Sequence, residues 1–175
     1  MGRRNVLIEG GSGTGKTAVC EELARRGYQA IHGDRELAYR GDPKTGEPVG
    51  NVTGLAVHDH HLWRVDKVRA LVADHSEPVT FFCGGSRNVL QFIHLYDAVF
   101  VLDVDTATLI RRLDSRPEEE WGGRGRDAER DLILHLHRTR ADVPAGGIAI
   151  DSTASVAHVV DEILALSDTA GNSAR

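Results

Sequence analysis

Gly10-Gly11-Ser12-Gly13-Thr14-Gly15-Lys16-Thr17 constrains this chain more than any other stretch. It follows the apolar run Val6-Leu7-Ile8-Glu9 and precedes a helical pattern with Val19 and Leu23 on one side. The octet fits G-x-x-x-x-G-K-[ST] without a mismatch, in the strand–loop–helix context that gives the pattern its meaning. Its glycines let successive N–H groups turn inward around a phosphate, and the positive end of the following helix dipole lies at the same place. Gly11, Ser12, Gly13, Thr14 and Gly15 therefore form a candidate nucleotide cradle. Lys16 is placed to reach the β- and γ-phosphates, and the Thr17 hydroxyl to ligate Mg²⁺.

The rest of the chain alternates short apolar runs with helical stretches, which predicts a three-layer α/β/α domain around a five-stranded parallel sheet. Expected strands are 5–9, 28–32, 78–83, 98–104 and 147–151. Expected helices are 16–26, 62–75, 86–95, 106–114, 128–141 and 156–166, with Gly27 closing the first and Asp105 or Thr106 opening the fourth. Residues 38–62 carry Gly41, Pro43, Gly46, Pro48, Gly50 and Gly54 with little apolar periodicity and read as a functional flap. Residues 115–127 form a second, charged interruption. One domain over 1–167 with a frayed tail at 168–175 is expected.

Composition narrows the partners. The 175 residues carry 21 Lys+Arg against 26 Asp+Glu, a net charge of −5, so no basic footprint for nucleic acid exists. No apolar stretch is long enough for a membrane span or a secretory signal, so a cytoplasmic protein is expected. Cys20 and Cys83 lie far apart in sequence and read as buried reduced thiols without a partner.

Beyond the phosphate loop, Arg112-Leu113-Asp114-Ser115-Arg116 and Gly123-Arg124-Gly125-Arg126-Asp127 look like the R-x-x-x-R…G-R-x-D lid of nucleotide kinases. With that lid, nearly the whole chain resembles the P-loop nucleotide and small-metabolite kinases, the group that holds adenylate, cytidylate, shikimate and gluconate kinases. The resemblance implies ATP and Mg²⁺ as cofactors and a small-molecule acceptor, with a homodimer compatible. It makes Arg112 the adenine partner and Arg116, Arg124 and Arg126 the cations that close over the transferring phosphoryl. Planar guanidinium forks suit equatorial phosphoryl oxygens. The competing reading is a solvated loop balanced by Glu118-Glu119-Glu120.

Asp34 stands just past the second strand, at the carboxyl edge of the sheet where such folds bind ligands. The resemblance makes it the group that orients the acceptor hydroxyl and the Mg²⁺ waters; an N-cap for the following turn is the plainer role. Arg35 beside it binds an anionic acceptor or forms an ion pair. Gly84 and Gly85 end the third strand and, by resemblance, let the acceptor approach the backbone. Arg87 holds its charged group or makes an ion pair, and Asn88 orients the acceptor or caps a helix. Ser152 and Thr153 stand where similar kinases build the adenine wall, with Ser152 or Ser155 an ordinary cap in the alternative.

The strand ending Phe82-Cys83-Gly84-Gly85 lacks the carboxylate of motor-type P-loop proteins, which counts against an AAA-type or transport ATPase. His58, His60 and His61 cannot all face one point on a helix, so flap or acceptor-pocket roles are preferred to a metal site. His135 and His137 fall on different faces of their helix. Trp63 and Trp121 either stack on a base or anchor their loops.

The expectation is an ATP- and Mg²⁺-dependent phosphotransferase acting on a small-molecule hydroxyl. A nucleoside monophosphate kinase and a non-catalytic ATP-binding regulator are the alternatives. No N-K-x-D run is present, which favours ATP over GTP.

Overall fold

The computed structural model describes residues 4–121 and 125–170; side chains are described only through residue 168. Strands β1 (Arg4–Gly10), β2 (Gln29–His32), β5 (Val79–Cys83), β6 (Ala98–Asp103) and β7 (Ile148–Asp151) form one parallel sheet ordered β2-β5-β1-β6-β7. Helices α1 (Lys16–Arg25) and α7 (Val156–Ala170) cover one face, and α4 (Val65–Ala73) covers the other. The alternation of side chains along each strand assigns the layers. Val6 and Ile8 of β1, with Phe81, Phe100 and Ile150, pack under α1 and α7. Leu7 and Phe82 point to the opposite face, where Trp63, Val68, Phe92 and Tyr96 cover them.

Strand β1 lies at the centre, and the chain fills one flank of it before crossing to the other. The crevice of such a sheet opens at the carboxyl end of the strand where this reversal occurs. That end is Gly10, where the phosphate loop begins.

Several elements depart from expectation. The stretch expected as a helix from 62 begins as β4 (His61–Trp63), antiparallel to β3 (Ala38–Arg40), and the helix starts only at Val65. Leu62 and Trp63 are buried in this small ladder, so the flap has a sealed base rather than being structureless. Within it, Asp42 Oδ1 accepts from the amides of Lys44 and Thr45, Tyr39 Oη donates to Gly46 O, and α3 (Ala56–Asp59) makes one turn.

The helix expected over 86–95 is instead two 3₁₀ turns, Val89–Gln91 and Ile93–Leu95, broken at Phe92. Phe92 is driven into the core, stacking on Trp63 at 5.8 Å, and its i, i+3 neighbour Val89 serves a 3₁₀ turn as well as an α-turn. The last helix runs on to Ala170. Arg4 helps to hold its end, donating to Ser167 O and pairing with Asp168, so residues 168–170, expected as part of a frayed tail, are helical. Residues 171–175 lie outside the described residues.

The thiols are not apart. Cys20 of α1 and Cys83 of β5 are both buried and share a hydrogen bond that, with burial, holds the Cys83 thiol protonated. Asn88 serves the fold rather than a ligand. Its side-chain amide donates to Trp63 O at 2.9 Å and accepts from Trp63 N at 3.0 Å. No helix among the described residues is long and apolar enough to cross a membrane.

Replacing Asn88 with Ala leaves both Trp63 backbone groups buried and unpaired. It is expected to lower stability by roughly 2–3 kcal/mol in urea unfolding.

Candidate functional site

The phosphate loop is a bare turn that needs glycine where it bends most. Gly13 and Gly15 have φ of +84° and +103°, and a Cβ on Gly13 would lie 2.8 Å from Leu109. Three outside groups brace its main chain. Ser152 Oγ, buried, donates to Thr14 O at 2.6 Å. Arg112 donates to Gly13 O at 3.3 Å and to Ser152 O at 2.6 Å. Lys16 Nζ turns back onto Gly10 O and Gly11 O at 2.6 and 2.9 Å. Thr17 follows with an exposed side chain.

Arg116 donates to Ser12 Oγ at 3.1 Å and lies over the Trp121 ring at 4.8 Å. Trp121 is buried with Val104, Leu109, Leu113 and Ile133, so it anchors the lid segment rather than offering a face to a base. Arg126, by contrast, pairs with Glu118 at 2.7 Å and donates to Asp114 O, outside the cleft. Arg124 lies outside the described residues.

A cavity of about 270 Å³ opens beside the loop. Gly10, Ser12, Lys16, Asp34, His58, His61, Gly85, Ser86, Arg87, Glu129 and Asp142 supply its polar lining, and Leu55, Val57, Leu132 and Ile133 its apolar walls. Asp34 is not an N-cap: it sits in the first turn of α2 (Gly33–Glu36), and Glu36 reaches back to the His32 amide instead. Its carboxylate accepts from His61 Nε2 at 3.1 Å and stays 36% exposed. Burial alone would raise its pKa, but the His61 hydrogen bond and the Lys16 charge outweigh burial and hold it below its ordinary value.

Gly84, at φ +144°, leaves room for this pairing: a Cβ there would lie 2.7 Å from Trp63 and 2.8 Å from Asp34. Arg87 makes a loose 3.9 Å ion pair with Asp59 and faces the cavity, whereas Arg35 is exposed and is not among the lining residues.

The remaining candidates sort by what they touch. Ser152 spends its hydroxyl on the loop, while Ser155 caps α7 through the His158 amide. Thr153 is exposed over Asp151, whose carboxylate accepts from its amide. His60 bonds Gly41 O inside the flap, so only His58 and His61 of the three histidines reach the cavity. Burial and then the Arg87 charge push the His58 imidazole down, towards its neutral form. No group of three or more metal-binding side chains (His, Cys, Asp, Glu) placed to hold an ion occurs among the described residues.

Glu9 was not a sequence candidate, though a carboxylate closing an otherwise apolar strand was the signal available. It is 1% exposed; its Oε2 accepts from Gly10 N at 3.2 Å, and its Oε1 has no partner among the described residues. Burial drives its pKa up to about 8 against the lowering effect of Lys16.

A protein-family model described as an AAA domain matches residues 6–133. Solved structures with the same fold include a shikimate kinase from Bacteroides thetaiotaomicron, 17% identical, covering 94% of this chain and 98% of that one at TM-score 0.60. A gluconokinase from Sinorhizobium meliloti 1021 is 23% identical over 97% and 94% of the two chains, TM-score 0.53. A deoxyadenosine kinase from M. mycoides with bound dATP is 16% identical over 94% and 99%, TM-score 0.54. Identities this low establish a common fold. No curated protein sequence matches the chain significantly. The family match concerns the domain; the missing carboxylate after β5, read as evidence against an AAA-type ATPase, bears on how water would be activated and not on family membership.

Removing the His61 partner should bring Asp34 back towards ordinary carboxylate behaviour. A lowered carboxylate pKa stabilises the fold above the unfolded value and loses that contribution as pH falls through the folded one. Carboxyl NMR of His61→Ala should therefore show Asp34 titrating at higher pH than in wild type, with its share of acid unfolding moved upward.

Proposed function

The chain belongs to the AAA-domain family, and from that premise we propose that it is an ATP- and Mg²⁺-dependent phosphotransferase that acts on a small-molecule hydroxyl. The observation that carries this reading is that Lys16 and Asp34 line one cavity from opposite elements, the phosphate loop and the second βα turn. A protein that used a nucleotide only as a conformational ligand has no need of a carboxylate there. The three kinases of like fold are in keeping with the reading.

The residues fit the cofactors. A loop with left-handed glycines suits phosphate, and a lysine whose hydrogen-bond partners among the described residues are loop carbonyls has a cation to offer. Thr17 and Asp34 would offer oxygen donors to Mg²⁺, and Arg112 with Ser152 and Thr153 would flank the base. When bound, MgATP supplies the electrophilic phosphoryl group with part of its charge neutralised. Lys16 and Arg116 hold positive charge against the oxygens where negative charge accumulates. Asp34, kept ionised by His61, accepts the hydrogen bond of the acceptor hydroxyl and aims its oxygen. The flap, which gives Leu55, Val57 and His58 to the lining, shields the reacting centre from water.

The lining also favours a hydroxyl acceptor over a nucleoside monophosphate. Of Arg35, Arg40, Arg64, Arg69 and Arg87, only Arg87 lines the cavity. Arg40 donates to Val52 O, and Arg64 lies over the Tyr39 ring at 4.8 Å. Among the described residues one guanidinium lines the cavity, with the Glu129 and Asp142 carboxylates on the same lining, which suits an acceptor with at most one acidic group. The four aliphatic side chains suit a body with an apolar face.

The test is ATP-to-ADP conversion across nucleosides, nucleoside monophosphates, sugars, sugar acids and aminoglycosides. One acceptor class is expected to stimulate turnover. Lys16→Ala should lower kcat by about 10²–10³-fold, and Asp34→Asn by about 10²–10⁴-fold. ATP binding with no stimulation by any class, and slow hydrolysis unchanged in Asp34→Asn, would favour a regulator. Arg87→Ala should raise KM for an acidic acceptor and leave kcat near wild type.

A further inference from the structure

Beneath the cavity lies a polar cluster that the proposed reaction does not use. Glu9 ends β1 with its side chain on the face of Leu7, facing the turn that follows β5. One carboxyl oxygen accepts from the Gly10 amide, and the Ser86 amide also faces the group. A Cβ added at Gly85 would lie 3.0 Å from Oε2, so the turn rests directly on the carboxyl. The other oxygen, Ser86 Oγ and Tyr96 Oη are all buried and have no hydrogen-bond partner among the described residues.

An ionised carboxylate does not suit this place. The nearest cation, Lys16, directs its ammonium at Gly10 O and Gly11 O, and no ion pair to Glu9 exists among the described residues. Asp142 adds a like charge from the segment after α6 (Arg126–Thr139), and Tyr96 on the last packed element carries a phenol that burial keeps protonated. A buried charge with an unsatisfied oxygen is costly; the Gly10 and Ser86 amides and the Lys16 charge offset part of that cost, and burial outweighs them.

We propose that Glu9 is a positioning residue: its buried carboxyl, packed between the Gly10 amide and the Gly85 backbone, fastens the Gly85–Arg87 acceptor turn to the mouth of the phosphate loop. Ionising it loosens the acceptor side and leaves the nucleotide side in place. The inference rests on the phosphotransferase reading for what the turn binds, and on the packing alone for the link itself. Arg87 carries the effect, since its amide donates to His61 O at 2.9 Å and so joins the turn to the partner of Asp34.

The experiment compares wild type with Glu9→Gln, which keeps shape and a donor but cannot ionise. Acceptor KM for wild type is expected to rise above pH about 8, approaching tenfold per pH unit, with kcat and nucleotide affinity level. Glu9→Gln should hold the low KM throughout. Amide-exchange protection at Gly85, Ser86 and Arg87 should fall over the same range in wild type only. Identical alkaline behaviour of the two proteins overturns the proposal. So does carboxyl NMR of wild type that finds Glu9 ionised at neutral pH, a measurement that holds even if Glu9→Gln does not fold. If no acceptor class is turned over, the phosphotransferase reading falls. The exchange and carboxyl titrations then decide the role of Glu9 by themselves.

Discussion

A glycine loop at the end of a central parallel strand presents more main-chain polar groups than its own turns can satisfy. Here these groups are met from three directions: Lys16 caps the Gly10 and Gly11 carbonyls, Ser152 holds Thr14 O, and Arg112 spans Gly13 O and Ser152 O. The strand order makes this bracing possible. With β6 and β7 on one side of β1, the loop after β7 arrives beside the phosphate loop. With β5 on the other side, the Gly84-Gly85 turn comes to the same crevice. Both halves of the cavity thus hang on one loop conformation.

The acceptor side depends on a second packing decision. Trp63 is wedged between Gly33, Gly84 and Phe92, with its backbone clamped by Asn88. This fixes the start of α2 against the end of β5 and leaves Asp34 opposite Lys16. His61, two residues upstream of the tryptophan, is brought by the same ladder to the Asp34 carboxylate. A hydrophobic anchor and a polar pair are therefore one construction, and an aromatic residue that looked available for stacking on a ligand is spent inside the protein.

Charges in the lid segment show how sequence spacing and spatial role come apart. Arg116 and Arg126 both approach the buried Trp121 ring, yet Arg116 turns to Ser12 of the phosphate loop and Arg126 to Glu118. Nothing in the run of residues distinguishes them, because either guanidinium can reach a carboxylate or a loop. Only the direction in which α5 (Thr106–Asp114) and α6 leave the lid separates the two.

The phosphate loop, the parallel sheet and most helix limits were legible in the residues themselves. They follow from local rules: strand alternation, helix periodicity, glycine where φ is positive, and Asp105 accepting from the Thr108 amide as a cap. The local rules failed where a residue's role is set by something distant in sequence. Val89, Phe92 and Tyr96 carry a helical spacing, but the stretch they span is two 3₁₀ turns broken at Phe92, whose ring stacks on Trp63. Ser152 braces the loop, because its hydroxyl meets the Thr14 carbonyl at 2.6 Å across 138 residues of sequence. Glu9 is a single letter in an apolar strand until the turn after β5 closes over it and removes its water. Burial is a property of the assembled chain, and with it come the raised pKa of Glu9 and the pairing of Asp34 with His61.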